Sequence, residues 1–168
     1  DFLQQTTAVR EQRSDSIRVS AQVVSDQEFS SLTGLSGLHH LILNQGRISD
    51  ASLVVCKSLT SLEHLRLRKS PISDQGIAHL AAHPALKILN LPQADLTDQG
   101  LDQLSQLPHL EYLRLASPQV TDEGLDHLTR LSTLRFLHLI EVNITDTGLQ
   151  HVARMKQLES FYLDGSQA

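Results

Sequence analysis

Leucines recur along the chain at a fixed spacing, and each recurrence opens the same short arrangement of apolar and polar residues. The arrangement is L-x-x-L-x-L, as in Leu86, Leu89 and Leu91. Its first leucine returns every 24 residues, at Leu38, Leu62, Leu86, Leu110, Leu134 and Leu158. Apolar residues that alternate with polar ones have the period of a β-strand with one buried face. The pattern therefore predicts one short strand in each unit.

Each unit continues with an aliphatic residue, then serine or threonine, then aspartate. The six pairs are Ser25-Asp26, Ser49-Asp50, Ser73-Asp74, Thr97-Asp98, Thr121-Asp122 and Thr145-Asp146. Hydroxyl and carboxylate oxygens accept hydrogen bonds from the free amides of a starting helix, and aspartate suits the positive end of its dipole. The apolar residues that follow, such as Leu125, Leu128 and Leu131, have the spacing of a helix stripe. We predict a helix or helical turn after each pair, with a capping role for the aspartates.

A single strand and helix cannot bury their apolar faces alone, so successive units must stack around a shared core. We predict an α/β fold, a right-handed solenoid with parallel strands on the concave side and helices on the convex side. The repeats are predicted to cover residues 14–168 in seven 24-residue phases. The last phase is incomplete at Ala168, and we expect the parent chain to continue. Residues 1–13 are out of phase and are predicted to form a capping helix through Leu3, Ala8 and Val9.

The full unit, L-x-x-L-x-L-x-x-x-x-I-[ST]-D-x-G-L-x-x-L-x-x-L, resembles the cysteine-containing class of leucine-rich repeats. That class is found beside F-box domains, in ribonuclease-inhibitor-like proteins and in many bacterial repeat proteins. Residues 80–84 resemble its L-A-x-x-C-P motif, with His83 in place of cysteine. The Cys or Asn that usually follows the third leucine is missing from the positions Gln22, Gly46, Ser70, Ala94, Pro118 and Val142. The resemblance implies a binding protein, and no F-box fits before the first unit.

Composition excludes several other classes of function. The formal net charge of -5 argues against a dedicated nucleic-acid binder, which needs clustered cations on a basic domain. No apolar run is long enough to span a membrane, and no phosphate-binding, dinucleotide-binding or nucleophile-elbow motif is present, so no cofactor is expected. Cys56, the single cysteine, stands at a helix-core leucine position and is predicted to be an inert small hydrophobe. The cellular compartment stays open.

Candidate binding residues come from the strand positions that point away from the leucine core, which form columns across the units. One column carries Ile88, Tyr112 and Phe136 in three consecutive units. Aromatic side chains near arginines are typical of protein-binding hot spots. We predict a partner-binding surface on the concave face, made by Ile88, Tyr112, Phe136, Ile140, Tyr162, Arg66, Arg68, Lys69, Arg114 and His138. An excess of cations there favours a partner with acidic groups. Alternatively, the large apolar residues of the column belong to the core.

The nine histidines raise the question of a metal site. His79, His127 and His151 share one helical column, and His40 and His64 are neighbours on the concave side. No further ligand completes a set at metal-binding spacing, so we predict no metal, and we predict a core position for His83. Another column of outward strand residues alternates in charge from Glu63 onward. It is predicted to form a ladder of salt bridges that each contribute little to stability. Its members are His39, Glu63, Lys87, Glu111, Arg135 and Glu159.

Three hypotheses follow for the function. The first is a protein-interaction module that binds a macromolecular partner on its concave face. The second is a scaffold whose solenoid self-associates through its ends, which predicts a mass that depends on concentration. The third is an enzyme that uses the concave histidines, which predicts a convergent pocket with shifted titrations, and open solenoids seldom provide one. We expect no catalytic residue and a monomer or weak self-association.

Overall fold

The computed structural model describes residues 1–165 as a row of stacked strand and helix units. Seven strands form one sheet in chain order: β1 (Ser16–Val19), β3 (His40–Leu43), β5 (His64–Leu67), β6 (Ile88–Leu91), β7 (Tyr112–Ala116), β8 (Phe136–Ile140) and β9 (Ser160–Asp164). All six neighbouring pairs are parallel and keep the 24-residue register. The predicted α/β solenoid is confirmed. Ala168 lies outside the described residues.

The two shortest strands were not predicted. They are β2 (Val24–Ser25) and β4 (Gly46–Arg47), which pair in a second, parallel sheet of their own. They lie between the main strand and the helix of the first two units. Because each contains only two residues, no alternation of apolar and polar positions could reveal them.

Every predicted helix begins at the aspartate of its Ser/Thr-Asp pair. The segments are α2 (Asp26–Ser30), a 3-10 helix (Asp50–Ser58), α3 (Asp74–Ile77), α4 (Asp98–Leu104), α5 (Asp122–Leu128) and α6 (Asp146–Arg154). The hydroxyl before the aspartate accepts an amide of the first turn in every unit except that of Ser49. The capping prediction is therefore confirmed for the hydroxyls of five units, whereas within residues 1–165 none of the six aspartates accepts an amide of its own helix. None of the helices within residues 1–165 combines the length and the apolar character that a membrane-spanning segment requires.

The aspartates have a different role, which the capping argument did not predict. Asp74 Oδ1 accepts the backbone N–H of Thr97, 3.0 Å away, and Asp74 Oδ2 accepts the Thr97 hydroxyl, 2.6 Å away. The same carboxylate bonds join Asp50 to Ser73, Asp98 to Thr121 and Asp122 to Thr145, and Asp26 accepts the amide of Ser49. Each carboxylate thus ties the start of its own helix to the start of the next unit. We call this series the aspartate interlock.

Glycine in the first turn of a helix makes room for the interlock. A Cβ atom on Gly100 would lie only 2.2 Å from Asp74 Oδ1, well inside van der Waals contact. Gly76, Gly124 and Gly148 meet the preceding aspartate in the same way. In the unit of the 3-10 helix, Ser52 stands at the glycine position. The repeated glycine is therefore required by close packing between units.

Helix α1 (Phe2–Arg10) closes the N-terminal end of the sheet. Phe2, Thr6 and Val9 form its buried stripe, whereas Leu3 is 54% exposed. The reason is helical phase, because residues 2, 6 and 9 share one face and residue 3 is turned away from it. The Gln5 side-chain amide accepts the Arg18 N–H at 2.7 Å and donates to its carbonyl at 3.1 Å. This contact covers part of the exposed edge of β1 and hinders its pairing with another strand.

The interior is mostly aliphatic, and two unusual residues are part of it. Cys56 is fully buried, and burial raises the pKa of its thiol to about 12. His83 is 5% exposed, with Nε2 at 3.1 Å from the Leu59 carbonyl and Nδ1 accepting the Ala85 N–H at 3.3 Å. Burial lowers the pKa of His83, so the imidazole is neutral and donates from Nε2. Both core predictions are confirmed.

Candidate partner-binding surface

The strand face is the surface formed by the outward side chains of the seven-stranded sheet. The strand register places Ile88, Tyr112 and Phe136 side by side on β6, β7 and β8. Two residues further along the strands, it aligns Arg66, Asn90, Arg114, His138 and Tyr162 on five consecutive strands. Since neighbouring parallel strands are about 4.8 Å apart, each row is a continuous strip.

Aromatic side chains dominate the C-terminal half of this face. Tyr162 is 60% exposed and Phe136 is 37% exposed, while Ile88, Tyr112 and Ile140 are half-buried. The Tyr112 and Phe136 rings lie 6.0 Å apart, and the His138 and Tyr162 rings lie 5.6 Å apart. A cleft of about 220 Å³ opens between them. The aromatic cleft is lined by Tyr112, Phe136, Leu137, His138 and Tyr162.

A polar network fixes the orientation of His138 within the cleft. Arg114 Nε donates to His138 Nδ1 at 3.3 Å, and His138 Nε2 lies 2.8 Å from Asp164 Oδ2. Because a guanidinium can only donate, Nδ1 must accept, and Nε2 must carry the proton that Asp164 accepts. The network joins three adjacent strands, β7, β8 and β9. Sequence reasoning missed Asp164, since its strand position pairs with Ile140 and only the side-chain direction brings it to His138.

Cations occupy the middle of the strand face. Arg66 and Arg114 are half-buried, and Arg68 and Lys69 are exposed beyond the end of β5. Arg66, Arg68, Lys69 and Arg114 are the basic cluster. No carboxylate among residues 1–165 lies within 4.0 Å of their side-chain nitrogens. Burial, followed by the charges of Arg68 and Arg114, lowers the pKa of Arg66.

Two histidines lie toward the N-terminal side of the basic cluster. His40 and His64 are register partners, and their rings meet edge to face with centroids 6.1 Å apart. Burial and then the charges of His40, Arg18 and Arg66 lower the pKa of His64 to about 4. His64 is therefore neutral near pH 7. Within residues 1–165, no three His, Cys, Asp or Glu side chains are grouped as metal ligands.

The remaining charged columns form ordinary surface ion pairs. In the predicted salt ladder, Lys87 pairs with Glu63 at 3.1 Å and Arg135 pairs with Glu159. On the helices, His127 lies 3.5 Å from Asp102, which also pairs with Arg130. His151, Asp126 and Arg154 repeat this arrangement one unit later. Such exposed pairs contribute about 0 to 1 kcal/mol each.

The predicted site residues thus lie on one face of the described chain in two neighbouring groups. Tyr112, Phe136, His138 and Tyr162 line the aromatic cleft, and Arg114 connects it to the basic cluster. Ile88 and Ile140 flank the rings on their own strands. Tyr112 and Phe136 do not belong to the buried core.

A leucine-rich repeat family model matches residues 58–81 and 106–129 of the chain. Among solved structures, internalin C2 from Listeria monocytogenes is 26% identical with a TM-score of 0.67, over 80% of this chain and 55% of the internalin. The internalin inlF from the same organism is 18% identical with a TM-score of 0.61, over 97% and 58% respectively. The chain therefore spans a little over half of these internalins. A comparison with curated protein sequences gave no match.

Proposed function

Because this chain is a leucine-rich repeat protein, we propose that it is a protein-interaction module whose strand face binds its partner. Leucine-rich repeat proteins generally bind other proteins and are typically not enzymes. Their solenoids offer an extended, open surface, which suits recognition of another macromolecule. The cysteine-containing subclass stays a prediction.

The exposed aromatic cleft is the observation that carries this proposal. Tyr162 and Phe136 leave large apolar surfaces in water, although a folded chain gains by covering such surfaces. Aromatic side chains can each bury about 150 to 250 Å² in an interface. The cleft between them can receive an apolar side chain of the partner. Clusters of this kind supply most of the binding energy of a protein interface.

The irregular side chains of the strand face support the same proposal. The leucines and the aspartate interlock repeat in nearly every unit because they hold the units together, whereas the outward side chains of the strand face differ from unit to unit.

We propose that residues 14–168 form the binding domain and that residues 1–13 serve as its N-terminal cap. In this proposal the chain is a monomer or self-associates weakly, and its strand face is left open to the partner.

Selection of peptide binders, followed by measurement of affinity, tests this function. A random peptide library is selected on the immobilised chain, and the enriched peptides are measured by calorimetry against a Phe136→Ala/Tyr162→Ala variant. We expect a loss of a few kcal/mol, as in hot-spot truncation. Val54→Ala is the matched control, because Val54 is a 48% exposed apolar residue of the 3-10 helix. Unchanged affinity in the aromatic variant would contradict the assignment of the site.

A further inference from the structure

The basic cluster lacks counter-ions, whereas five of the ten other lysines and arginines of the chain pair with a carboxylate. Lys87, Arg130, Arg135 and Arg154 each pair with a carboxylate on a neighbouring unit. Arg66, Arg68, Lys69 and Arg114 pair with none among residues 1–165. The chain has an excess of carboxylates, with a net charge of -5. The concentration of unpaired cations at one place on an acidic chain marks a complementary site for anions.

Arg66 is the centre of this arrangement. Its side chain is half-buried, and its Nε is shielded from solvent without a hydrogen-bond acceptor among the described residues. Burial, and then the charges of Arg68 and Arg114, lower its pKa. An unpaired donor and repelling like charges both cost free energy. Carboxylates that arrive between these guanidiniums relieve the repulsion and form charge-assisted hydrogen bonds.

The charge of the strand face changes sign along its length. The basic cluster begins on β5, whereas Asp164 lies beside His138 on β9 and Glu141 is exposed at the end of β8. A uniform polyanion that followed the whole face would meet these carboxylates at the aromatic cleft. The face is therefore complementary to a ligand that is acidic at one end and apolar at the other.

Strand spacing gives the separation between the two ends. The aromatic cleft is centred near β8, three strands from Arg66 on β5, which is about 14 Å at about 4.8 Å for each step. An extended chain covers about 3.3 Å for each residue, so about four residues bridge this distance. We propose that the strand face binds an extended acidic segment of a protein, which crosses the strands with carboxylates on the basic cluster and an apolar side chain in the aromatic cleft. This inference rests on the proposed function.

Synthetic peptides of defined composition are the probe. One carries a run of glutamates, a glycine-serine spacer of about four residues and a leucine, and a second carries the same residues in reverse order. Binding to the isotopically labelled chain is followed by NMR at low and high salt. At least one peptide should bind and perturb Arg66 and Tyr162, with weaker binding at high salt. A peptide with lysine in place of glutamate should not bind.

Substitutions then separate the two parts of the surface. Arg66→Gln/Arg68→Gln should weaken binding about tenfold or more, whereas Arg47→Gln/Lys57→Gln should change it less than about twofold. The control pair is exposed and removes the same charge elsewhere. Arg68→Gln alone repeats the test at an exposed position if the double variant is less stable. Equal effects of the two double variants, or no detectable binding of either glutamate peptide, overturn the inference.

Two further measurements separate a failure of the acidic-segment inference from a failure of the proposed function. If Phe136→Ala/Tyr162→Ala weakens peptide binding and Arg66→Gln/Arg68→Gln does not, the proposed function stands and the acidic segment is wrong. If neither variant weakens binding, the peptide does not bind on the strand face, and both proposals lose their support. An oligouridylate RNA that binds as tightly as the peptide would assign the basic cluster to nucleic acid and also overturn the inference.

Discussion

Replacing Gly100 with alanine tests the aspartate interlock, because simple helix propensity predicts the opposite result. Gly100 lies in α4, where alanine should stabilise a helix by about 1 kcal/mol. Its new Cβ, however, would lie 2.2 Å from Asp74 Oδ1 and 3.2 Å from Leu96 Cδ2. The carboxylate must move away and lose both of its hydrogen bonds to Thr97. The two effects have opposite signs, so their sizes decide the result.

Hydrogen bonds to charged groups contribute about 1.5 to 3 kcal/mol each. Asp74 is half-buried, so we take the lower end of that range, which gives about 3 kcal/mol for the two bonds. After subtraction of the propensity gain, Gly100→Ala should lower the free energy of unfolding by about 2 kcal/mol. For a chain of this length that corresponds to a fall in Tm of about 4 to 8 °C. Urea denaturation and a thermal melt measure both quantities.

A double-mutant cycle assigns this loss to Asp74. In an Asp74→Ala background no carboxylate opposes the new methyl group, so Gly100→Ala should be neutral or slightly stabilising. Gly37→Ala is a useful control, since a Cβ there meets no atom within 4 Å. If Gly100→Ala costs the same free energy with and without Asp74, the loss comes from other packing and the interlock argument is wrong.

Two further predictions concern titratable groups in the N-terminal half. Cys56 should resist alkylation at pH 8 in the native chain and react after unfolding, because burial removes access and raises its pKa to about 12; rapid native-state labelling would contradict this. His64, with a pKa of about 4 against an ordinary 6.5, should make the folded state less stable as the pH falls from 6.5 toward 4, since the unfolded chain binds the proton first. In urea titrations at pH 7 and pH 5, His64→Gln should lose less stability than the unsubstituted chain, and an equal loss in both would refute the assignment.

Backbone geometry explains why the strands and helix starts were predictable from the residues. Strand alternation and helix capping each depend on only a few neighbouring residues, so the leucine pattern and the Ser/Thr-Asp pairs reveal them directly. The structure has β6 and α4 at the positions that these patterns predict. Helical phase is readable in the same way, because Phe2, Thr6 and Val9 have the spacing of one helix face and Leu3 is turned away from it.

Contacts between units were harder to predict, because one partner is a backbone group or depends on side-chain direction. Asp74 binds the amide of Thr97, and an amide leaves no mark on the pattern of residue types. In the sequence, only the glycine at position 100, 26 residues after Asp74, indicates that the carboxylate lies where a Cβ atom would otherwise be. Likewise, the bond between His138 and Asp164 joins residues of different rows, so reading one row at a time could not reveal it.

The contacts that hold the units together are separate from the strand face. The units are held together by buried leucines and by the aspartate interlock at the helix starts, and neither involves the outward side chains of the strands. A side chain such as Tyr162 is therefore free to differ from its counterparts in other units without loss of the fold. If outward residues served stacking alone, they would be as regular as the aspartates. The unpaired guanidiniums around Arg66 and the exposed rings beside Tyr162 have no such regularity, and a partner gives both a physical reason to be there.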